Sequence, residues 1–217
     1  MCISTHDKLY IKWHYSFGDL YMTFVDPLAV MLIGLSFGTA IAAFYFLFAA
    51  RGMTEQVKAL VFPAIGVGVF DFISGFYMSM FWPFPSYVAA YNMLFGDPLL
   101  LFGLLLCIVA VMAYKTPEKT NFGIVPILIM MLGIYVLVGA YSIVQLKLET
   151  GQNLITALGL YLFDGIGALL APLVYLKPNK AAGKYAYYLE LVLLGIGTIF
   201  SLLIGYIALN GHLASPP

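Results

Sequence analysis

Six long apolar runs, bounded by charges and helix breakers, leave this chain very few architectures. A helix rising 1.5 Å per residue needs about 20 apolar residues to cross a hydrocarbon core about 30 Å thick. In that medium every backbone amide and carbonyl must be paired within the protein, so only helices and closed barrels span it. The runs here are continuous and lack the alternation of a barrel strand. They read as helices over about Pro27–Ala50, Val57–Phe81, Pro98–Tyr114, Phe122–Gln145, Leu154–Leu176 and Tyr187–Leu209. The expected fold is an all-α membrane protein with six transmembrane helices, and its first partner is the lipid bilayer.

Composition narrows the function classes. Hydrophobic residues are 63% of the chain and charged residues 9%, against roughly 45–50% and 25% in soluble domains. Ten basic residues balanced to zero net charge exclude nucleic acid as a partner. Cys2 and Cys107 occupy unrelated settings, so neither a disulfide nor a thiolate metal site is expected. No histidine lies in any span, which removes the usual haem ligand. No lysine sits mid-span for a Schiff base, and P-loop, Rossmann and zinc signatures are missing. No metal, cofactor or enzymatic activity is therefore expected.

Basic residues set the orientation. Arg51, Lys58, Lys115, Lys119, Lys177, Lys180 and Lys184 fall in the odd-numbered loops, and Lys8, Lys12 and Lys147 fall on the other side. The positive-inside rule then places both termini outside a plasma membrane. Residues 1–21 read as an outer, interfacial segment carrying Tyr10, Trp13, Tyr15, Phe17 and Tyr21, or as an extension upstream of a start at Met22. Asp26-Pro27 and Asp97-Pro98 each look like a helix start. Asp26 and Asp97 would cap the first turn, and the proline would follow at a position that loses no hydrogen bond.

Two acids interrupt the apolar runs mid-span. Asp71 and Asp164 share the phrase A-x-G-x-x-x-F-D-x-I, from Ala64 to Ile73 and from Ala157 to Ile166. A carboxylate at the bilayer centre costs about 2.5–3.5 kcal/mol on insertion scales, so it normally faces a partner, a cavity or water. The offset that relates Asp71 to Asp164 also relates Asp97 to Glu190, and Pro27–Gly34 resembles Pro126–Gly133. These matches divide the chain into repeat one (residues 22–114, spans one to three) and repeat two (residues 115–217, spans four to six and an outer C-terminal tail). With three spans per copy, the second is inverted in the membrane, an arrangement that places functional sites near the midplane. Gly66, Gly68, Gly75, Gly159, Gly165 and Gly167 would permit close packing or leave room for a pore.

Two roles remain open for Asp71 and Asp164. Protonated and buried, they would bond to Ser36, Thr39, Ser74, Thr156 or a tyrosine hydroxyl. As a pair lining a path, they would share a proton, select cations or bind a small polar solute. The outer stretch Phe81–Asp97 is aromatic and proline-rich. It reads as an interfacial belt, or as a pore vestibule to which Tyr91 and Asn92 offer polar groups.

The phrases Phe24-Val-Asp-Pro-Leu28, Trp82-Pro-Phe-Pro85 and Tyr91 to Gly103 resemble a prokaryotic family of membrane proteins of unknown function, over nearly all the chain after Met22. More distantly, Tyr91–Tyr114 and the acid Glu190 resemble the urea/amide channel family. That resemblance implies six helices in inverted repeats, external termini, a pore narrowed at its cytoplasmic end by Glu190, and a ring-shaped homo-oligomer. The chain departs from that family in having no tryptophan within its spans and in adding the Asp71/Asp164 pair. Both departures speak against urea or an amide as the solute. The leading expectation is a channel or facilitator for a small polar solute or protons, its path lined by Asp71 and Asp164, with Asp97 near the outer end and Glu190 near the inner end. The alternative is a non-catalytic membrane subunit that scaffolds a redox or energy-converting complex.

Overall fold

Helix α1 spans Pro27–Ala50, the bounds expected from its apolar run. A computed structural model describes residues 27–84, 89–116, 122–176 and 180–214. After α1 come α2 (Thr54–Ala59), α3 (Val61–Phe81), α4 (Ala90–Lys115), α5 (Val125–Gln145), α6 (Gly151–Leu170) and α7 (Ala181–Ala214). Among the described residues there is no strand, and six helical segments are long and apolar enough to cross a membrane. Exposed Phe37, Phe62, Ile73, Met131, Ile199 and Tyr206 exemplify the apolar outer surface that such helices present to lipid.

Prolines shape the ends of the spans. Pro63, with no amide to offer the Ala59 carbonyl, stands where α2 gives way to α3. Pro172 lies in the 3-10 helix Ala171–Tyr175 that continues α6. Helix α7 is 34 residues long, about 50 Å at 1.5 Å per residue, and so outreaches the hydrocarbon core.

The third span departs from its expected start. Helix α4 begins at Ala90, and Asp97-Pro98 lies inside it. Asp97 is therefore not a helix cap. A proline at position 98 removes the amide that would have bonded the Leu94 carbonyl. The Tyr161 hydroxyl of α6 donates to that carbonyl instead. This substitution is the means by which an interior proline is tolerated in lipid, where an unpaired carbonyl would otherwise stay exposed. Asp26 lies outside the described residues.

The helices pack in chain order, α1 on α3, α3 on α4, α4 on α5, α5 on α6 and α6 on α7, and α7 returns to α1. The six spans thus close into a ring. Neighbouring spans are antiparallel, and the tightest seam is glycine-lined. Gly68 and Gly75 of α3 face Gly103 and Gly96 of α4. A methyl group at Gly75 would sit 2.8 Å from the Gly96 carbonyl, and one at Gly103 would sit 2.5 Å from the Gly68 carbonyl. Gly66 has open space around it and takes no part in this seam. A closed ring in chain order circulates in one sense, whereas a two-fold axis in the membrane plane would reverse that sense between its halves. Helices α3 and α6, which carry Asp71 and Asp164, stand across the ring from each other.

The Pro98–Tyr161 pairing makes a testable claim. Tyr161→Phe strands the Leu94 carbonyl and is expected to lower unfolding stability in detergent by about 1–2 kcal/mol. In the Pro98→Ala background, where an amide returns to Leu94, the same substitution should have a much smaller effect. Equal losses in both backgrounds would contradict the pairing.

Candidate functional site

The ring encloses a cavity of about 200 Å³. It runs from Leu28 and Phe95 at one end to Val57 and Ala113 at the other, and helices from all six spans contribute to its wall. Most of that wall is leucine, valine, alanine and phenylalanine. Thr39, Asp164 and Glu190 are among the few polar side chains on it.

Asp164 and Glu190 lie on one seam between α6 and α7. Asp164 and Gly167, three residues apart on α6, share one face, and Glu190, Leu194 and Gly197, spaced by four and three residues, share one face of α7. Gly197 lies opposite Asp164, where an added methyl group would overlap the carboxylate, its Cγ only 2.6 Å away. Gly167 lies by Leu194 and Glu190, its virtual methyl 3.5 Å from Glu190 Oε2. Glu190 Oε2 lies by Gly167, one turn along α6 from Asp164, so the two carboxylates sit at successive levels of the same seam. Glu190 sits past the first two turns of α7, not at its head, and is 1% exposed. Among the described residues, neither Asp164 oxygen nor Glu190 Oε1 has a hydrogen-bond partner.

Asp71 is placed differently. It is fully buried, and its two oxygens press on α1, where a methyl group at Gly34 would lie 2.6 Å from Oδ1 and one at Gly38 would lie 3.2 Å from Oδ2. It is not on the cavity wall. Phe102, which is on that wall, packs against the same Gly38. The shared phrase around Asp71 and Asp164 therefore produces two different surroundings. Neither Asp71 oxygen has a hydrogen-bond partner among the described residues. The hydroxyls expected to serve the two aspartates turn back on their own helices: Ser36 to Ile33 (2.6 Å), Ser74 to Phe70 (2.7 Å) and Thr156 to Asn153 (3.0 Å). Thr39 bonds to its own helix and to Thr198 of α7 at 2.9 Å.

Asp97, Asn92 and Tyr91 are structural ties. Asp97 Oδ2 accepts from the Tyr135 hydroxyl of α5 at 2.9 Å. Asn92, expected at a vestibule, is fully buried. Its Oδ1 accepts from the Phe84 amide at 3.2 Å, and its Nδ2 donates to the carbonyls of Phe84 and Ala89, both at 3.2 Å. All its bonds clamp the loop before α4, which removes it from any vestibule. Tyr91 donates its hydroxyl to Glu149 in the loop between α5 and α6. Sequence reasoning missed Tyr161, Thr198 and Glu149. Tyr161 precedes Asp164 by one turn, the one signal that pointed toward it.

A chain whose described residues are helical, with six helices long and apolar enough to cross a membrane, is a multi-pass membrane protein. This one keeps two acids on the wall of its central cavity without a hydrogen-bond partner among the described residues. The chain belongs to the family described as "Protein of unknown function (DUF981)", whose model matches residues 22–215. No curated protein and no solved structure matches it significantly.

Because Asp71 accepts no hydrogen bond, Asp71→Asn keeps its shape and forfeits no contact. Unfolding in detergent is expected to show unchanged or raised stability. A loss above about 1 kcal/mol, the centre of the usual range for point substitutions, would contradict the placement.

Proposed function

We propose that this chain is a membrane channel or facilitator whose path is the central cavity, passing Glu190 and Asp164. The observation that carries this reading is the pair of cavity-wall carboxylates whose oxygens Asp164 Oδ1, Asp164 Oδ2 and Glu190 Oε1 have no hydrogen-bond partner among the described residues. Leaving acids unpaired in a low-dielectric interior is unfavourable unless they serve something that arrives from outside the fold. The apolar remainder of the wall favours protons over an uncharged polar solute, which would find too few groups to replace its water. Asp71, set behind Phe102, is not a path residue in this reading. Arg51, Lys58, Lys115, Lys180 and Lys184 gather at one end of the spans, which supports that end as the cytoplasmic one, with the termini of the chain outside a plasma membrane. The exposed apolar surface is what lipid requires and does not favour a scaffolding subunit.

Purified protein in liposomes provides the test. Proton flux, read by a trapped pH dye, is expected to exceed that of empty liposomes. Asp164→Asn and Glu190→Gln should each reduce it about tenfold or more, equivalent to about 1.4 kcal/mol, while Asp71→Asn retains it. No flux of protons or of any small solute above empty liposomes overturns the reading. So does flux that both cavity variants leave unchanged.

A further inference from the structure

We infer that the central cavity is a binding site for a small lipophilic ammonium ion, a primary alkylamine whose chain lies along the apolar wall and whose nitrogen meets Asp164 and Glu190. The inference rests on the reading of the cavity as a path and narrows what occupies it.

Charge is the first argument. Asp164 and Glu190 share the wall with no lysine, arginine or histidine, and the only ion pair among the described residues joins Lys58 to Glu55 near the end of the bundle. An occupant that draws these acids into their ionised form has to bring the counter-charge itself. Hydrogen-bond capacity is the second. Ionised carboxylates only accept, and an ammonium group supplies three donors and no acceptor to leave unpaired. A sugar or amide would bring several acceptors to a wall whose side-chain donors are few, chiefly the hydroxyls of Thr39, Tyr45 and Tyr161.

The wall is also poorly matched to a bare divalent cation. Calcium takes six to eight oxygen ligands and magnesium a near-octahedral set, whereas this cavity offers two carboxylates and few other oxygen-bearing side chains. Its remaining surface is aliphatic and aromatic, matched to a cation with an apolar body. Size and shape set the last limit. An apolar cavity of about 150 Å³ accommodates benzene, so one of about 200 Å³ takes roughly eight to ten non-hydrogen atoms by the same measure. Residues toward both ends of the bundle line it, so a straight chain can lie along its length.

Octylamine is a suitable probe, with octanol and octanoate as the neutral and anionic counterparts of the same chain. Calorimetric titration of each into the protein in nanodiscs, with empty nanodiscs subtracted, should show saturable binding of octylamine near one per chain. Octanol and octanoate should bind at least tenfold more weakly. The Asp164→Asn, Glu190→Gln double variant should lose at least tenfold in octylamine affinity, and Asp71→Asn should retain it. Octylamine uptake no greater than in empty nanodiscs overturns the inference. Octanol binding as tightly overturns it too, and that comparison uses only the unaltered protein, so it stands if a variant fails to fold. Proton flux without amine binding overturns this inference and leaves the path reading intact. Amine binding without any flux supports it and overturns transport.

Discussion

Everything in this structure depends on the return of the last span to the first. Without the seam between α7 and α1, the six helices would form an open row with no interior. Small and polar residues make the seam: Thr39 bonds Thr198 at 2.9 Å, Ser36 and Ser201 are fully buried, and Gly205 lies against the Ala29 carbonyl. Lipid tails are as apolar as leucine, so association within the bilayer is driven by close contact and interhelical hydrogen bonds. The closure uses both. Once the ring is closed, α6 and α7 hold Asp164 and Glu190 on the wall of the central cavity.

The same logic governs the other joints. Backbone meets backbone where Gly68, Gly75, Gly96 and Gly103 interleave between α3 and α4, and Gly133 does the same between α5 and the Gly165–Leu169 stretch of α6. At Pro98 a different problem is solved, since a tyrosine from a neighbouring helix supplies the donor that proline lacks. Tyr161 thereby ties α6 to α4 one turn before Asp164. Near the start of α4, Asn92 bonds back to Phe84 and Tyr91 bonds Glu149 in the loop between α5 and α6. The acids on the cavity wall are thus surrounded by packing that leaves them no partner of their own.

Much of the fold was legible because hydrophobicity over a full membrane crossing is a strong signal. The bounds of α1 followed from its apolar run alone. Those of α4 did not, because Asp97-Pro98 carries the same local signature as Asp26-Pro27, and what makes it interior is the hydroxyl of Tyr161, a residue on another helix. Gly66 and Gly68 show the same limit. Two residues apart, they point to nearly opposite sides of α3, and sequence alone did not say which side met α4. The candidate site was legible by half. The scarcity of acids in the spans singled out Asp71, Asp164 and Glu190. Which of them face the cavity depends on Gly38, Phe102 and Gly197, and those neighbours come from helices outside the shared phrase. Equivalent local sequences therefore led to a wall position for Asp164 and a buried one behind the wall for Asp71.

The closure of the ring can be measured directly. In a chain with Cys2 and Cys107 replaced by serine, Thr39→Cys and Thr198→Cys would place two thiols where hydroxyls now meet at 2.9 Å. Mild oxidation in native membranes should give rapid, nearly complete cross-linking within one chain, seen as a shift in electrophoretic mobility reversed by reductant. Cross-links that form only between chains, or none at all in folded protein, would contradict the closed ring and with it the cavity that Asp164 and Glu190 line.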